Sequence, residues 1–257
     1  MWLDLQRRLI ETKPRWVIRP EGFAFGRDDE EPLIEIERRA RQGRELNSFL
    51  SKRIRDPFQR DALLCDWGIH HLHLNLALDA TEFRRRSDRL LFALIQPEQL
   101  YFIAVGDHDS WSDVDLIEII HTSWPHSIAQ HRMSDLPAPR TTWSPAERRN
   151  LRNAGVQTLV SISDGTTYAP IGGGYASDGS SLDVSLHLSQ IRQYLLSLRN
   201  AVSASEAEIR HRCWAAGVNP DNLHLRLLVE NEIPYAVDER QNVRLRLPEL
   251  AAQQVGR

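Results

Sequence analysis

Gly68-Ile69-His70-His71-Leu72-His73-Leu74-Asn75-Leu76 is the stretch on which the reading of this chain turns. Leu72, Leu74 and Leu76 alternate with His71, His73 and Asn75, and successive side chains of a β-strand point to opposite faces. The pattern predicts a strand with one apolar face and one polar face that carries two imidazoles. His70 falls on the apolar side, where the body of its ring can pack.

Downstream lies an arginine-rich loop with Arg84, Arg85, Arg86, Asp88 and Arg89. Leu90 to Gln96 and Gln99 to Val105 then form two β-rich runs separated by Pro97-Glu98, which predicts a hairpin whose exit carries Asp107-His108. Upstream, Ile36, Ala40, Leu46, Phe49, Leu50 and Ile54 recur among Arg and Glu between Leu33 and Ile54. That is the pattern of amphipathic helices broken near Gly43. A short helix is expected from Pro57 to Cys65, and residues 1–32 read as an arm or strand pair ending in a turn. Ser112, before Asp113 and Asp115, predicts a helix cap, with the helix running through Ile120 or His121 to a stop at Trp124-Pro125.

Residues 125–143, with Pro125, Pro137 and Pro139, lack periodicity and read as a linker. Ser144-Pro145-Ala146-Glu147 is a capping box with proline at the first helical position, and the helix should end at Gly155. Val156 to Ile162 and Thr166 to Ile171 read as paired strands around Asp164-Gly165. Val184, Leu188, Ile191, Leu195, Leu198 and Val202 mark a long helix, followed by another from about Ser205 to Ala216. Leu223 to Val229 and Val243 to Leu247 read as two strands joined by a longer segment. The expected fold class is α+β, with N-terminal helices packed on a small antiparallel sheet. The expected modules are 1–124 and 144–257, the second regulatory or partner-binding in character.

Composition narrows the function. The chain has 257 residues, 41% apolar and 26% charged, which is ordinary globular composition rather than that of a disordered chain. Its 32 Lys and Arg against 35 Asp and Glu give a net charge of −3, so a surface that grips nucleic acid all round is excluded. Cys65 and Cys213 stand far apart, outside any CxxC pair, which argues against a disulfide framework or cysteine zinc site. With no signal-peptide pattern and no long apolar run, the expectation is a cytoplasmic protein with no membrane partner.

The chemistry-bearing constellation is His71, His73 and His108 with the arginines of the 84–89 loop. If the three strands are neighbours, imidazoles and guanidiniums meet around one groove. Such groups cut a phosphodiester without metal: one imidazole takes the ribose 2′-hydroxyl proton, an acid protonates the leaving oxygen, and arginine stabilises the charged phosphorane. A second reading makes His71, His73 and His108 ligands of zinc, with a position left open for water. The third is that the imidazoles are polar fillers of a strand face with no chemistry.

The order of helices, polar-faced strand, then Arg86-Ser87-Asp88-Arg89-Leu90-Leu91-Phe92-Ala93-Leu94-Ile95 and Gln99-Leu100-Tyr101-Phe102-Ile103-Ala104-Val105-Gly106-Asp107-His108 resembles the RelE/HigB-like ribonuclease toxins, over about residues 33–121. The resemblance implies paired helices before a curved antiparallel sheet whose basic and imidazole side chains cleave RNA, often on the ribosome. It implies catalytic roles for His71, His73 and His108 and phosphate binding by Arg86 and Arg89. The chain departs from those toxins in being long and slightly acidic. Elsewhere, Gly172 to Gly179 lacks the spacing of a phosphate-binding loop and reads as a flexible connection. His121, His126 and His131 read as linker histidines.

Overall fold

The computed structural model describes residues 2–56, 61–108, 110, 114–134, 143–176, 180–204, 206–215, 217–231, 233–240 and 242–246. The expectations placed on Pro57, Ser112, Asp113, residues 135–142 and residues 177–179 lie outside them. The fold is α+β, and the chain divides into two compact units, Met1–Val184 and Ser185–Arg257.

The first unit is built on a four-stranded sheet in the order β1-β4-β3-β2, with β1 Trp16–Ile18, β2 Ile69–His73, β3 Leu90–Ile95 and β4 Gln99–Gly106. The predicted hairpin is β3–β4, and β2 pairs antiparallel with β3, setting His71 opposite Phe92 and His73 opposite Leu90. The sheet is mixed rather than purely antiparallel, because β1 lies parallel to β4. The strand pair expected within residues 1–32 is not formed among the described residues; β1 pairs with β4 instead, and Arg15 fixes it in place through Nε–H donation to the Gln96 carbonyl at 3.0 Å.

Both faces of the sheet are covered. On one, α2 (Glu30–Arg41) lays down Leu33, Ile36 and Ala40, one stripe at helical spacing, and with Leu46 and Phe49 they meet Leu72, Leu91, Ala93, Leu100 and Phe102. On the other, α4 (Asp115–Ser123) contributes Leu116, Ile117 and Ile120 against Ile69, Leu90, Phe92, Leu94, Tyr101 and Ile103. Strands buried on both sides read as near-continuous apolar runs, which is what Leu90-Leu91-Phe92-Ala93-Leu94-Ile95 is.

The unit does not stop at the expected linker. Residues 125–127 and 129–131 form two 3-10 turns, and the intervening Ile128 is fully buried in the second core. Turns of this kind carry no helical or strand period, so a segment that packs was read as one that only connects. The capping box is present at α5 (Pro145–Asn153), where Arg152 forms a buried ion pair with Asp66 of α3 (Ala62–Trp67) at 2.9 Å. The hairpin β5–β6 (Val160–Ser161, Thr167–Tyr168) adds Val160, Ile162 and Tyr168 to the same core. His121 is no linker residue: its Nδ1 lies 2.7 Å from the Tyr168 hydroxyl and its Nε2 3.2 Å from Asp164.

The second unit takes most of α6 (Leu182–Ala204), α7 (Glu206–Ala215) and a three-stranded meander, β7 Arg226–Glu230, β8 Ile233–Asp238 and β9 Val243–Arg246. Leu198 and Ala236 are its buried apolar centre, with Tyr194 and Leu225 against them. The middle strand went unread because Pro234 argues against a central strand. A left-handed Asn231, at φ 49°, starts the turn that pairs Pro234 with Val229. No helix among the described residues is long and apolar enough to cross a membrane.

Candidate functional site

The corner between α3 and β2 positions the histidines. Asp61 caps α3 by accepting from the Leu64 N–H at 3.0 Å, and Gly68 ends it at φ 69°, a left-handed turn that costs glycine little. The chain then enters β2 at once, so the register of Ile69 to His73 follows directly from where the helix stops.

The expected open polar face is not what results. All five residues of β2 are buried, with His71 at 8% and His73 at 5% exposure. Because β2 is an edge strand, His71 and His73 instead border a partly open cavity of about 410 Å³ beside the sheet, lined by the segment Leu50 to Ile54. The rings of His71 and His73 are 6.3 Å apart and those of His73 and His108 5.9 Å. Arg86 donates from Nη2 to His108 Nε2 at 3.4 Å. A guanidinium can only donate, so that nitrogen of His108 holds a lone pair.

His73 Nδ1 sits 3.0 Å from the Ser87 carbonyl oxygen and 3.3 Å from the Ser87 N–H. One nitrogen cannot do both, and assigning Nδ1–H as the donor to the nearer carbonyl leaves the lone pair on Nε2. Burial pulls His73 down to about 4, helped by the nearby His71, His108 and Arg86 and opposed by the Ser87 hydrogen bond. His71 is lowered as well, chiefly by burial, with Asp61 working the other way. His70, on the opposite side of the strand, is pulled down to about 4 by its burial. These rings are neutral bases near neutral pH.

Among the described residues the charged lining is strongly one-sided: Arg8, Lys52, Arg53, Arg84 and Arg86 against Asp61. Three of the cations are committed to protein partners. Arg8 pairs with Asp4 at 3.0 Å, Lys52 pairs with Asp79, and Arg84 donates to the Leu76 carbonyl while stacking over Phe49 at 4.6 Å. Among the described residues, Arg53 and Arg86 form no ion pair, which leaves two guanidiniums to meet an incoming anion.

The predicted set is thus brought together with one exception. His71, His73, His108 and Arg86 share the cavity, whereas Arg89 does not border it. Its guanidinium is held by the buried Asp29 carboxylate at 3.0 Å, a partner sixty positions away in the chain. Arg8, Lys52, Arg53 and Asp61 were not anticipated, although the basic run Ser51-Lys52-Arg53-Ile54-Arg55 was a visible signal. No group of three or more His, Cys, Asp or Glu side chains among the described residues is arranged to hold a metal ion, so the zinc alternative finds no ligand set there.

The glycine loop has a packing explanation. A Cβ on Gly172 would run into the carbonyl oxygens of Leu64 and Cys65, and the Gly172 N–H donates to Asp66 O at 3.0 Å. Arg7 clamps this approach by donating to both the Leu64 and Gly172 carbonyls. Compared with protein-family models, curated proteins and solved structures, the chain matches none.

Proposed function

We propose that the cavity binds a phosphate of an RNA strand and cleaves the adjoining phosphodiester bond without a metal ion. The supporting observation is the convergence of His71, His73, His108 and Arg86, from three separate segments, on one cation-rich cavity. In this reading the lone pair on His108 Nε2 takes the 2′-hydroxyl proton, and the freed oxygen bonds to phosphorus as the bond to the 5′ oxygen breaks. His73, carrying a proton on Nε2, gives that leaving oxygen its proton, so a 2′,3′-cyclic phosphate and a 5′-hydroxyl result. Arg53 and Arg86 offset the charge that grows on the phosphorane. His71 stands beside His73 in the cavity wall, its ring 6.3 Å away.

The test is cleavage of labelled RNA with and without chelator. Chelator-insensitive cleavage is expected, falling by about 100-fold or more in His73→Ala, the usual order for losing a general acid. Arg86→Ala should fall at least about tenfold and Arg89→Ala hardly at all, since only the first borders the cavity. Cleavage abolished by chelator, cleavage indifferent to His73→Ala, or inert protein would overturn the proposal.

A further inference from the structure

The acid step above needs a proton that the resting cavity is poorly placed to hold. His73 faces His71 from its own strand, Arg86 and Arg84 from the loop after it, and His108 from the end of β4. The 3-10 turn at Lys52–Arg55 adds Lys52 and Arg53, and α1 (Trp2–Arg8) adds Arg8. Among the described residues, Asp61 is the one carboxylate in that lining, and it is already engaged in capping α3. An imidazolium formed among these groups would be buried beside like charges, the two conditions that most disfavour it.

A phosphodiester in the same space reverses both conditions. Its oxygens bring the opposite charge to within hydrogen-bonding range of the rings, and they accept the N–H that protonation creates. His73 is built for that gain: its Nδ1–H stays bonded to the Ser87 carbonyl in either state, so the new proton goes to Nε2, the nitrogen left without a protein partner in that bond.

We infer that the cavity captures its phosphodiester and a solvent proton together, as one coupled binding event centred on the imidazole cluster. The inference rests on reading the cavity as a phosphate site and adds how that site is charged for catalysis. The balance is simple: neutral imidazole, one proton from solvent and a phosphodiester monoanion give an imidazolium–phosphate pair, with no bond to phosphorus made or broken. Of two neutral rings and one proton, the base remains neutral and the other ring becomes the acid, so binding itself sets up the acid–base pair.

The probe is thymidylyl-(3′,5′)-thymidine, which lacks the 2′-hydroxyl and carries the same single negative charge across the accessible pH range. Calorimetric titration of the full chain in two buffers of different ionisation heat counts protons taken up on binding. About one proton per site is expected, with affinity weakening about tenfold for each pH unit of increase through the neutral range. His73→Asn should flatten that dependence. Binding with no proton uptake and a flat pH profile overturns the coupling while leaving the phosphate site standing. No binding of the probe removes both readings. Uptake unchanged in that variant overturns the assignment to His73, and the wild-type two-buffer measurement decides the matter should the variant fail to fold.

Discussion

Arg152→Met tests the joint that seats the α3–β2 corner. Asp66 and Arg152 have side-chain exposures of only 4% and 3%, and the guanidinium bonds the carboxylate at 2.9 Å while lying 4.4 Å over the Trp67 ring. At that depth the surface value of an ion pair, near zero, does not apply; removing one partner strands the other charge at a cost of about 3–5 kcal/mol. For a unit of this size that lowers Tm by roughly 10 °C. The methionine still covers Trp67, so the loss reports on charge rather than on a cavity. Burial already raises the Asp66 carboxyl, with Arg152 the main opposing influence. A carboxyl raised in the folded state contributes most to stability at acid pH, and the contribution is lost as pH rises through its folded value. Without Arg152 that value moves further up, so the variant's deficit should be largest near neutrality and shrink on acidification. Asp66→Leu combined with Arg152→Met should recover most of the lost Tm. Thermal unfolding of the two variants across pH is the assay. A single variant melting within about 2 °C of the parent at neutral pH, or a deficit independent of pH, would refute the argument.

Two further expectations concern the glycine loop and the cavity wall. Gly172→Ala drives a methyl into two carbonyl oxygens and should cost more than about 2 kcal/mol, whereas Gly165→Ala, with open space around it but φ 84°, should cost about 1 kcal/mol; chemical denaturation of both separates steric clash from backbone strain. Arg53→Ala should leave stability within about 0.5 kcal/mol of the parent yet weaken dinucleotide binding roughly three- to tenfold, as read by calorimetry; equal affinities would remove Arg53 from the anion site.

Much of this was legible in the residues because local signals agreed with the final packing. The β3–β4 hairpin follows from two apolar runs around Pro97-Glu98, and the start of α5 follows from Ser144 and Glu147, whose side chains make both bonds of a capping box. The grouping of His71, His73, His108 and Arg86 followed from strand neighbourhood alone. What failed was decided at long range. Nothing beside Arg89 announces Asp29, and nothing in the alternation of Leu and His says that the segment Leu50 to Ile54 will line a cavity at the edge of β2. The extent of the first unit was misjudged for a similar reason: Ile128 and Tyr168 reach the core from segments whose own periodicity is too short to show it.

The parallel pairing of β1 with β4 bears on when the first unit can close during synthesis. Trp16 finds its partner at Gln99, so the earliest strand must wait, exposed, until the hairpin has been translated. Arg8 and His108 lie a comparable distance apart and meet only in that same closure. A chain that stops short of β3 therefore carries every piece of the α2 helix but not the His108 side of the cavity.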